Sequence, residues 1–116
     1  MKVLLQRVSE ASVGLDGETI AEIGLGMVVL VCTEKDDGEG DADFFARKIA
    51  NMRLFADEDG KSNLSLLDVG GEALVISQFT LAAEGVPVKT GKFRSHMAVS
   101  LTNDGPMTIW MDSGEK

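Results

Sequence analysis

The apolar and polar residues in the first part of the chain follow patterns that predict β-strands. The segments with such patterns are residues 2–9, 11–15, 18–23 and 27–32. Asp16 and Gly17 lie between two of these segments, and an Asp-Gly pair there favours a type I′ hairpin turn. Residues 27–32 are all apolar, which is typical of a strand buried on both faces of a sheet.

The period of the apolar residues changes between residues 41 and 52, where it predicts a helix. One face carries apolar side chains and the opposite face carries polar ones: Ala42, Phe45, Ile49 and Met52 against Arg47, Lys48 and Asn51. Asp41 or Asp43 suits the positively charged N-terminal end of such a helix.

Further short strands are expected later in the chain, at residues 53–55, 73–79, 97–101 and 107–111, with a turn-rich loop at residues 56–63. Many strands with one main helix predict an α+β fold with an antiparallel-rich sheet or barrel-like core. We expect residues 1–116 to form a single domain. One helix covers little of a sheet, so we expect a second copy of the chain to cover one face.

The composition restricts the class of protein. Hydrophobic residues make up 44% and charged residues 26% of the sequence, as in ordinary globular domains. No apolar run approaches the roughly 20 residues of a membrane span, and the N-terminal segment lacks a secretion signal, so we expect a cytoplasmic protein without a membrane partner. Cys32 is the single cysteine and ends an apolar run, which favours a buried structural thiol.

The usual catalytic devices are not predicted by this sequence. A Ser-His-Asp triad needs a histidine beside the nucleophile, but His96, the only histidine, lies in a polar run and is interpreted as a surface residue. Asp57-Glu58-Asp59-Gly60 resembles a calcium loop only superficially, because its glycine comes too early in the loop. We therefore expect neither a metal ion nor a cofactor.

Two short segments carry the most specific chemical information. The first, Ser77-Gln78-Phe79-Thr80-Leu81, ends an apolar strand with two hydroxyls, an amide and an aromatic ring. The second, Asn103-Asp104-Gly105-Pro106-Met107-Thr108, places a Gly-Pro peptide between two strand-like segments. Together they resemble the signature pair of the D-aminoacyl-tRNA deacylases, also called D-tyrosyl-tRNA deacylases.

The resemblance extends over most of the chain in the family's order, through residues 2–8, 34–37, 53–55, 60–65, 70–71 and 90–93. One departure is large. The family has a loop with Pro and Phe and a whole helix between the Ser-Gln-Phe-Thr-Leu strand and the Thr-Gly-x-Phe segment, where this chain has only residues 82–89. The chain therefore resembles a shortened member with a deacylase-like fold that lacks the second helix.

The resemblance implies a quality-control hydrolase that cleaves the ester joining a D-amino acid, or glycine mischarged on tRNA-Ala, to the 3′ end of tRNA. It also implies a homodimer, in which a cis Gly105-Pro106 peptide enters the partner's active site, holds the substrate's α-amino group with carbonyl groups and excludes an L side chain. Arg7 would hold this segment in place. Asn103 and Phe93 complete the implied substrate-binding residues, although Phe93 is equally well interpreted as an ordinary core aromatic.

The implied catalytic residues are Ser77, Gln78, Phe79 and Thr80. The Gln78 amide and the Phe79 N–H would stabilise a developing oxyanion, and the Phe79 ring would stack on the terminal adenine. Thr80 is either a hydroxyl nucleophile or a group that orients water. Hydrolysis without a strong base suits aminoacyl-tRNA because its ester is already activated and has a neighbouring ribose hydroxyl.

The charge of the chain bears on this substrate. A net charge of −8 argues against a broad basic surface for nucleic acid. The acidic residues concentrate at residues 34–43 and 57–59, which we interpret as solvated loops. Basic side chains instead gather in the last third of the chain, at Lys89, Lys92 and Arg94. An enzyme that contacts only the 3′ end of tRNA needs few phosphate contacts.

Two other functions remain open from the sequence alone. A catalytically impaired homologue, acting as a binding dimer, would agree with the loop and helix missing after Leu81. Esterase or peptidase activity on a small substrate would suit the acidic charge better than tRNA does.

Overall fold

Seven strands and two helices make up the part of the chain that the computed structural model describes, which is residues 1–34, 37–77 and 97–113. In chain order they are β1 (Lys2–Leu15), β2 (Glu18–Ile23), β3 (Gly26–Cys32), α1 (Glu39–Asn51), β4 (Phe55–Ala56), β5 (Ser62–Leu64), α2 (Leu66–Val69), β6 (Glu72–Ser77) and β7 (Met97–Asp112).

Strand β1 organises the main sheet. Along one edge of β1, residues 2–8 pair with β3 and residues 11–15 pair with β2. Along the other edge, β7 runs antiparallel to β1 over nearly its whole length. Strand β6 adds to β3 in parallel, and β4 and β5 form a small separate ladder. The result is a mixed, mostly antiparallel sheet that forms a half-barrel, which confirms the predicted α+β fold with one main helix.

The β1–β2 hairpin and the buried strand β3 agree with their sequence patterns. Asp16 and Gly17 form the turn with φ angles of 53° and 83°, both positive as a type I′ turn requires. In β3, Met27 and Val29 pack in the core beneath α1, while Val28 packs on the other side of the sheet. Cys32 is buried, as predicted.

Several element boundaries differ from the sequence-based expectation. Strand β1 continues through residue 10, where a break was expected, because register shifts around Val8 and Glu10 bend the strand without ending it. The two strands expected at residues 97–101 and 107–111 are one strand, β7. The short strand expected at residues 53–55 begins only at Phe55.

The short helix α2 was not predicted, and its ends are fixed by local bonds. The Ser65 hydroxyl accepts from the Asp68 N–H at 3.1 Å, and the Asp68 carboxylate accepts from the Ser65 N–H at 2.8 Å. These reciprocal bonds form a capping box at the N-terminal end. Gly70, with a φ angle of 64°, ends the helix in the left-handed conformation.

Two apolar cores lie on opposite faces of the sheet. The first, beneath α1, includes Val3, Leu5, Met27, Val29, Phe45, Ile49, Phe55 and Leu66; the second includes Val8, Ala11, Val13, Val28, Leu74 and Ile76. Helix α1 contributes only Phe45 and Ile49 as buried residues. Ala42 was expected on the same buried face but is exposed, because it lies in the first turn, at the edge of the contact with the sheet.

The interpretation of residues 34–43 as a solvated loop is wrong for Asp37, because its carboxylate binds the N-terminal amino group. The Met1 amino group donates to Asp37 Oδ1 at 2.7 Å and to Ser113 Oγ at 2.9 Å. Asp37 Oδ2 also accepts from the Glu34 N–H at 2.6 Å. The hydrogen bond from the terminal ammonium group holds the pKa of Asp37 below its usual value.

Strand β6 leaves one of its faces open within the described chain. Leu74 and Ile76 are buried, whereas Ala73, Val75 and Ser77, which alternate with them, are exposed. Val75 is 65% exposed, and Leu67 of the neighbouring helix α2 is 66% exposed. We expected one face of this strand to lack cover in a chain without a second helix, and the exposure of Val75 agrees with that expectation.

Candidate active site

The Gly-Pro peptide lies in a bulged part of β7, where the strand departs from its regular register with β1. Gln6 pairs with Thr108 and Val8 pairs with Asn103, so Arg7 alone lies opposite residues 104–107, which we call the Gly-Pro loop. The Gly105-Pro106 peptide bond is cis, as predicted.

The first position of this peptide favours glycine. Gly105 has a φ angle of +128°, which side-chain-bearing residues rarely adopt. A Cβ atom there would also lie 2.6 Å from an Arg7 guanidinium nitrogen. The backbone conformation therefore favours glycine at this position, and a side chain there would force the Arg7 guanidinium to move.

Arg7 fastens the Gly-Pro loop from one side. Its Nε donates to the Asp104 carbonyl at 3.0 Å and lies 3.5 Å from the Asp104 carboxylate. Its Nη1 donates to the Leu54 carbonyl, just before β4. The Arg7 side chain is only 13% exposed. Two of its guanidinium nitrogens thus bond to main-chain carbonyls, and the simpler interpretation of Arg7 as a solvated edge-strand charge does not describe it.

Hydrogen bonds from the Asn103 side chain stabilise the same loop at its base. Asn103 Nδ2 donates to the carbonyls of Arg7 and Met107, each at 2.9 Å. Its Oδ1 accepts from the Met107 N–H at 3.2 Å. The side chain therefore bridges the two ends of the loop and ties both to β1.

Ser77 lies elsewhere in the chain. It is exposed at the end of β6 and pairs with Val31, which in turn pairs with Val3 near the start of β1. The Gly-Pro loop lies opposite Arg7, four residues further along β1 and three strands from β6, which is about 13 Å along the strands and a further 14 Å or so across them. Measured along the sheet, Ser77 and Gly105 of one chain are therefore far apart.

The remaining site residues expected from the sequence are Gln78, Phe79, Thr80 and Phe93, and they lie outside the described residues. Among the described residues, no three His, Cys, Asp or Glu side chains come together as a metal site. In the same ranges, no helix is long and apolar enough to cross a membrane.

Two main-chain contacts of the residues that hold the Gly-Pro loop were not predicted. The Leu54 carbonyl binds Arg7, and the main chain of Met107 binds Asn103 at both its N–H and its carbonyl. Main-chain groups occur at every residue, so no residue type signals their use. The position of residues 53–55 among the segments that resemble the family was the only available indication.

Comparison with known proteins places this fold and loop in a family. The family model described as D-Tyr-tRNA(Tyr) deacylase matches residues 4–86 and 82–112. A D-aminoacyl-tRNA deacylase of Thermomicrobium roseum is 46% identical over 147 aligned residues, covering 99% of this chain and 96% of the relative. One of Ruegeria pomeroyi is 46% identical, covering 97% and 99%.

A solved structure titled c-Myc DNA Unwinding Element Binding Protein superposes with a TM-score of 0.87 at 33% identity, covering 97% of this chain and 99% of that one. The half-barrel with its Gly-Pro loop is thus a deacylase-like fold. The chain belongs to the D-Tyr-tRNA(Tyr) deacylase family.

The comparisons also bear on the expected deletion. The alignment with the Thermomicrobium roseum relative spans 147 positions although this chain has 116 residues. The family model matches in two pieces that meet at residues 82–86, within the segment where the second helix was expected to be missing. The chain is therefore a shortened member of its family.

Proposed function

We propose that this protein hydrolyses the ester bond of D-aminoacyl-tRNA and releases a free D-amino acid and tRNA. The observation that carries the proposal is the Gly-Pro loop, which Arg7 and Asn103 hold in one shape, in a chain that matches the deacylase family over nearly its whole length. Relatives that are 46% identical bear the name of this activity. Glycyl-tRNA mischarged on tRNA-Ala is the second proposed substrate.

The proposed active site is shared between two copies of the chain. The separation of Ser77 from Gly105 supports this arrangement, because a substrate bound at the end of β6 needs a Gly-Pro loop from another chain. In a symmetric dimer the two copies would exchange loops and form two equal sites. The partner would also cover part of the exposed surface of the sheet.

Chiral selection in this proposal is steric. Carbonyl groups of the Gly-Pro loop accept hydrogen bonds from the substrate's α-ammonium group and fix the orientation of its α-carbon. The side chain of a D-amino acid then points into open space, whereas that of an L-amino acid collides with the loop. Glycine has no side chain to exclude and is accepted.

The proposed chemistry uses positioning and oxyanion stabilisation. A water molecule attacks the ester carbonyl carbon, and the Gln78 amide with the Phe79 N–H donates to the developing oxyanion. The C–O bond to the ribose 3′ oxygen breaks, and that oxygen takes up the proton that the attacking water gives up. Thr80 orients this water; in the alternative in which the Thr80 hydroxyl attacks first, it passes its proton to the 3′ oxygen and water then cleaves the acyl-threonine ester. The Phe79 ring stacks on the terminal adenine, Phe93 lines the pocket, and Ser77 supports this strand end.

The test is release of amino acid by the purified protein from D-tyrosyl-tRNA, L-tyrosyl-tRNA and glycyl-tRNA under identical conditions. The proposal expects rapid release from the D and glycyl esters, with the L ester left intact. Equal release from D- and L-tyrosyl-tRNA, or release from neither, would contradict it.

The missing segment favours one second candidate, a catalytically impaired homologue that binds D-aminoacyl-tRNA without hydrolysing it. The two candidates differ in a direct way. The impaired homologue would bind a D-tyrosyl-tRNA analogue with a stable amide at the 3′ position but leave the natural ester intact. The enzyme would bind the analogue and hydrolyse the ester.

A further inference from the structure

We infer that Asn103 is a positioning residue: it sets the shape of the Gly-Pro loop from within the protein. The inference rests on the proposed function, because the loop's shape matters to substrate choice only if the loop selects D-aminoacyl esters. It replaces the substrate-binding role that the sequence resemblance implied for this residue.

Both N–H donors of the Asn103 amide are already used within the protein. A side-chain amide offers two N–H donors on nitrogen and two acceptor positions on oxygen. Nδ2 donates to the Arg7 and Met107 carbonyls, and Oδ1 accepts from the Met107 N–H. No N–H donor of Asn103 is left for a substrate carbonyl or phosphate.

The Asn103 side-chain bonds take the place of regular ladder bonds at the ends of the Gly-Pro loop. Residues 104–107 lie outside the β1–β7 register, so the main chain at the ends of the loop cannot all be satisfied by regular ladder bonds. The Asn103 side chain satisfies the Met107 N–H and carbonyl together with the Arg7 carbonyl. It thereby closes the loop across its base.

Arg7 and Asn103 each bond to the main chain at or beside the other residue. The Asn103 side chain bonds to the main chain of Arg7, while the Arg7 side chain bonds to the main chain of Asp104, the residue after Asn103. The two residues form a reciprocal clamp around Gly105 and Pro106. If either side chain is lost, the carbonyl groups of the loop lose one of their two supports.

Asparagine is the side chain that this arrangement requires. Aspartate has the same shape, but when ionised it has no donor, and it would place an oxygen against the Arg7 and Met107 carbonyls. Glutamine has the same donors on a longer stem. Asn103→Asp is therefore the sharpest test, because it removes the donors while keeping the size of the side chain.

The experiment measures kcat and KM of Asn103→Asp with D- and L-tyrosyl-tRNA. We expect KM for the D ester to rise and the D-over-L ratio of kcat/KM to fall about tenfold, the size expected when hydrogen bonds are lost and acceptors are left unsatisfied. The ratio should recover in part at acid pH, where the protonated carboxyl regains one donor. If Asn103 had a purely structural role, kcat/KM would fall by the same factor for the D and L esters and their ratio would not change.

The matched control is Asn51→Asp, which makes the same change at an exposed amide whose Nδ2 bonds to the Arg47 carbonyl on α1. It should leave the D-over-L ratio unchanged. If wild-type protein is active and selective and Asn103→Asp keeps its selectivity, the inference is overturned while the proposed function stands.

A second measurement does not depend on activity. Hydrogen exchange of the Met107 N–H should be about tenfold faster in Asn103→Ala than in wild type, because the side-chain oxygen that accepts from this N–H is removed. Asn51→Ala should not change it. Unchanged exchange at Met107 would overturn the inference, and this result can be obtained even if the wild-type protein proves inactive or if Asn103→Asp fails to fold.

Discussion

At the scale of single residues, Arg7 combines charge with a shape that lysine does not reproduce. Separate guanidinium nitrogens reach the Leu54 and Asp104 carbonyls, whereas lysine would offer one nitrogen on a flexible stem. We predict that Arg7→Lys lowers kcat/KM for D-tyrosyl-tRNA about tenfold and narrows the D-over-L ratio, since the Gly-Pro loop loses an anchor. Arg47→Lys, at an exposed position of α1, is the control and should change neither value. Wild-type kinetics in Arg7→Lys would exclude this role for Arg7.

At the scale of secondary-structure elements, β6 carries a buried face and an open face within six residues. We predict that Val75→Ser, together with Leu67→Ser, lowers binding of a hydrophobic dye while changing the free energy of unfolding of the monomer by less than about 1 kcal/mol, because both side chains are exposed. Leu74→Ala, on the buried face of the same strand, should cost about 2–5 kcal/mol. Equal destabilisation by the two changes, measured by urea unfolding, would show that Val75 and Leu67 are covered.

The same scale shows which parts of the structure the sequence could predict. The β1–β2 hairpin and β3 carry strong local signals, an Asp-Gly turn and an unbroken apolar run. The continuity of β1 and β7 carries no such signal, because bulges are set by pairing between distant residues. Helix α2 is too short to show a period. At the site, the Gly-Pro loop was predictable from its motif, but the Leu54 carbonyl was not, because any residue has one.

At the scale of the whole molecule, Asp37 links three distant parts of the chain, because the Met1 amino group that it binds also contacts Ser113 after β7. Burial acts to lower the pKa of that amino group, but the hydrogen bond and charge of Asp37 outweigh it and the pKa is raised. The lowered pKa of Asp37 means that its contribution to stability is complete above the ordinary aspartate range and is lost as pH falls through the folded-state value. Because the pKa of the amino group is raised in the folded protein, its contribution to the free energy of unfolding is lost only as pH rises through that raised value.

We therefore predict that Asp37→Asn lowers the free energy of unfolding at neutral pH and that its difference from wild type shrinks as the solution is acidified. Asp43→Asn removes a charge from an exposed position of α1 and serves as the control. Urea unfolding at a series of pH values checks this. A difference for Asp37→Asn that stays constant down to the most acid pH would contradict the ion pair as its cause.

In the proposed dimer each active site combines groups from both chains, so two differently defective chains should restore one complete site when they pair. Gly105→Ala is expected to disable the loop, because alanine rarely adopts a φ angle of +128° and its Cβ would displace the Arg7 guanidinium. Gln78→Ala removes the proposed oxyanion donor. Each variant alone is expected to be nearly inactive on D-tyrosyl-tRNA.

When the two variants are mixed and allowed to exchange subunits, each heterodimer contains one site with an intact loop from one chain and an intact Gln78 from the other. The shared-site account predicts that activity returns, to about half of the wild-type value per heterodimer. A mixture that is no more active than the sum of the two variants, although light scattering and mass spectrometry show that heterodimers have formed, would contradict it.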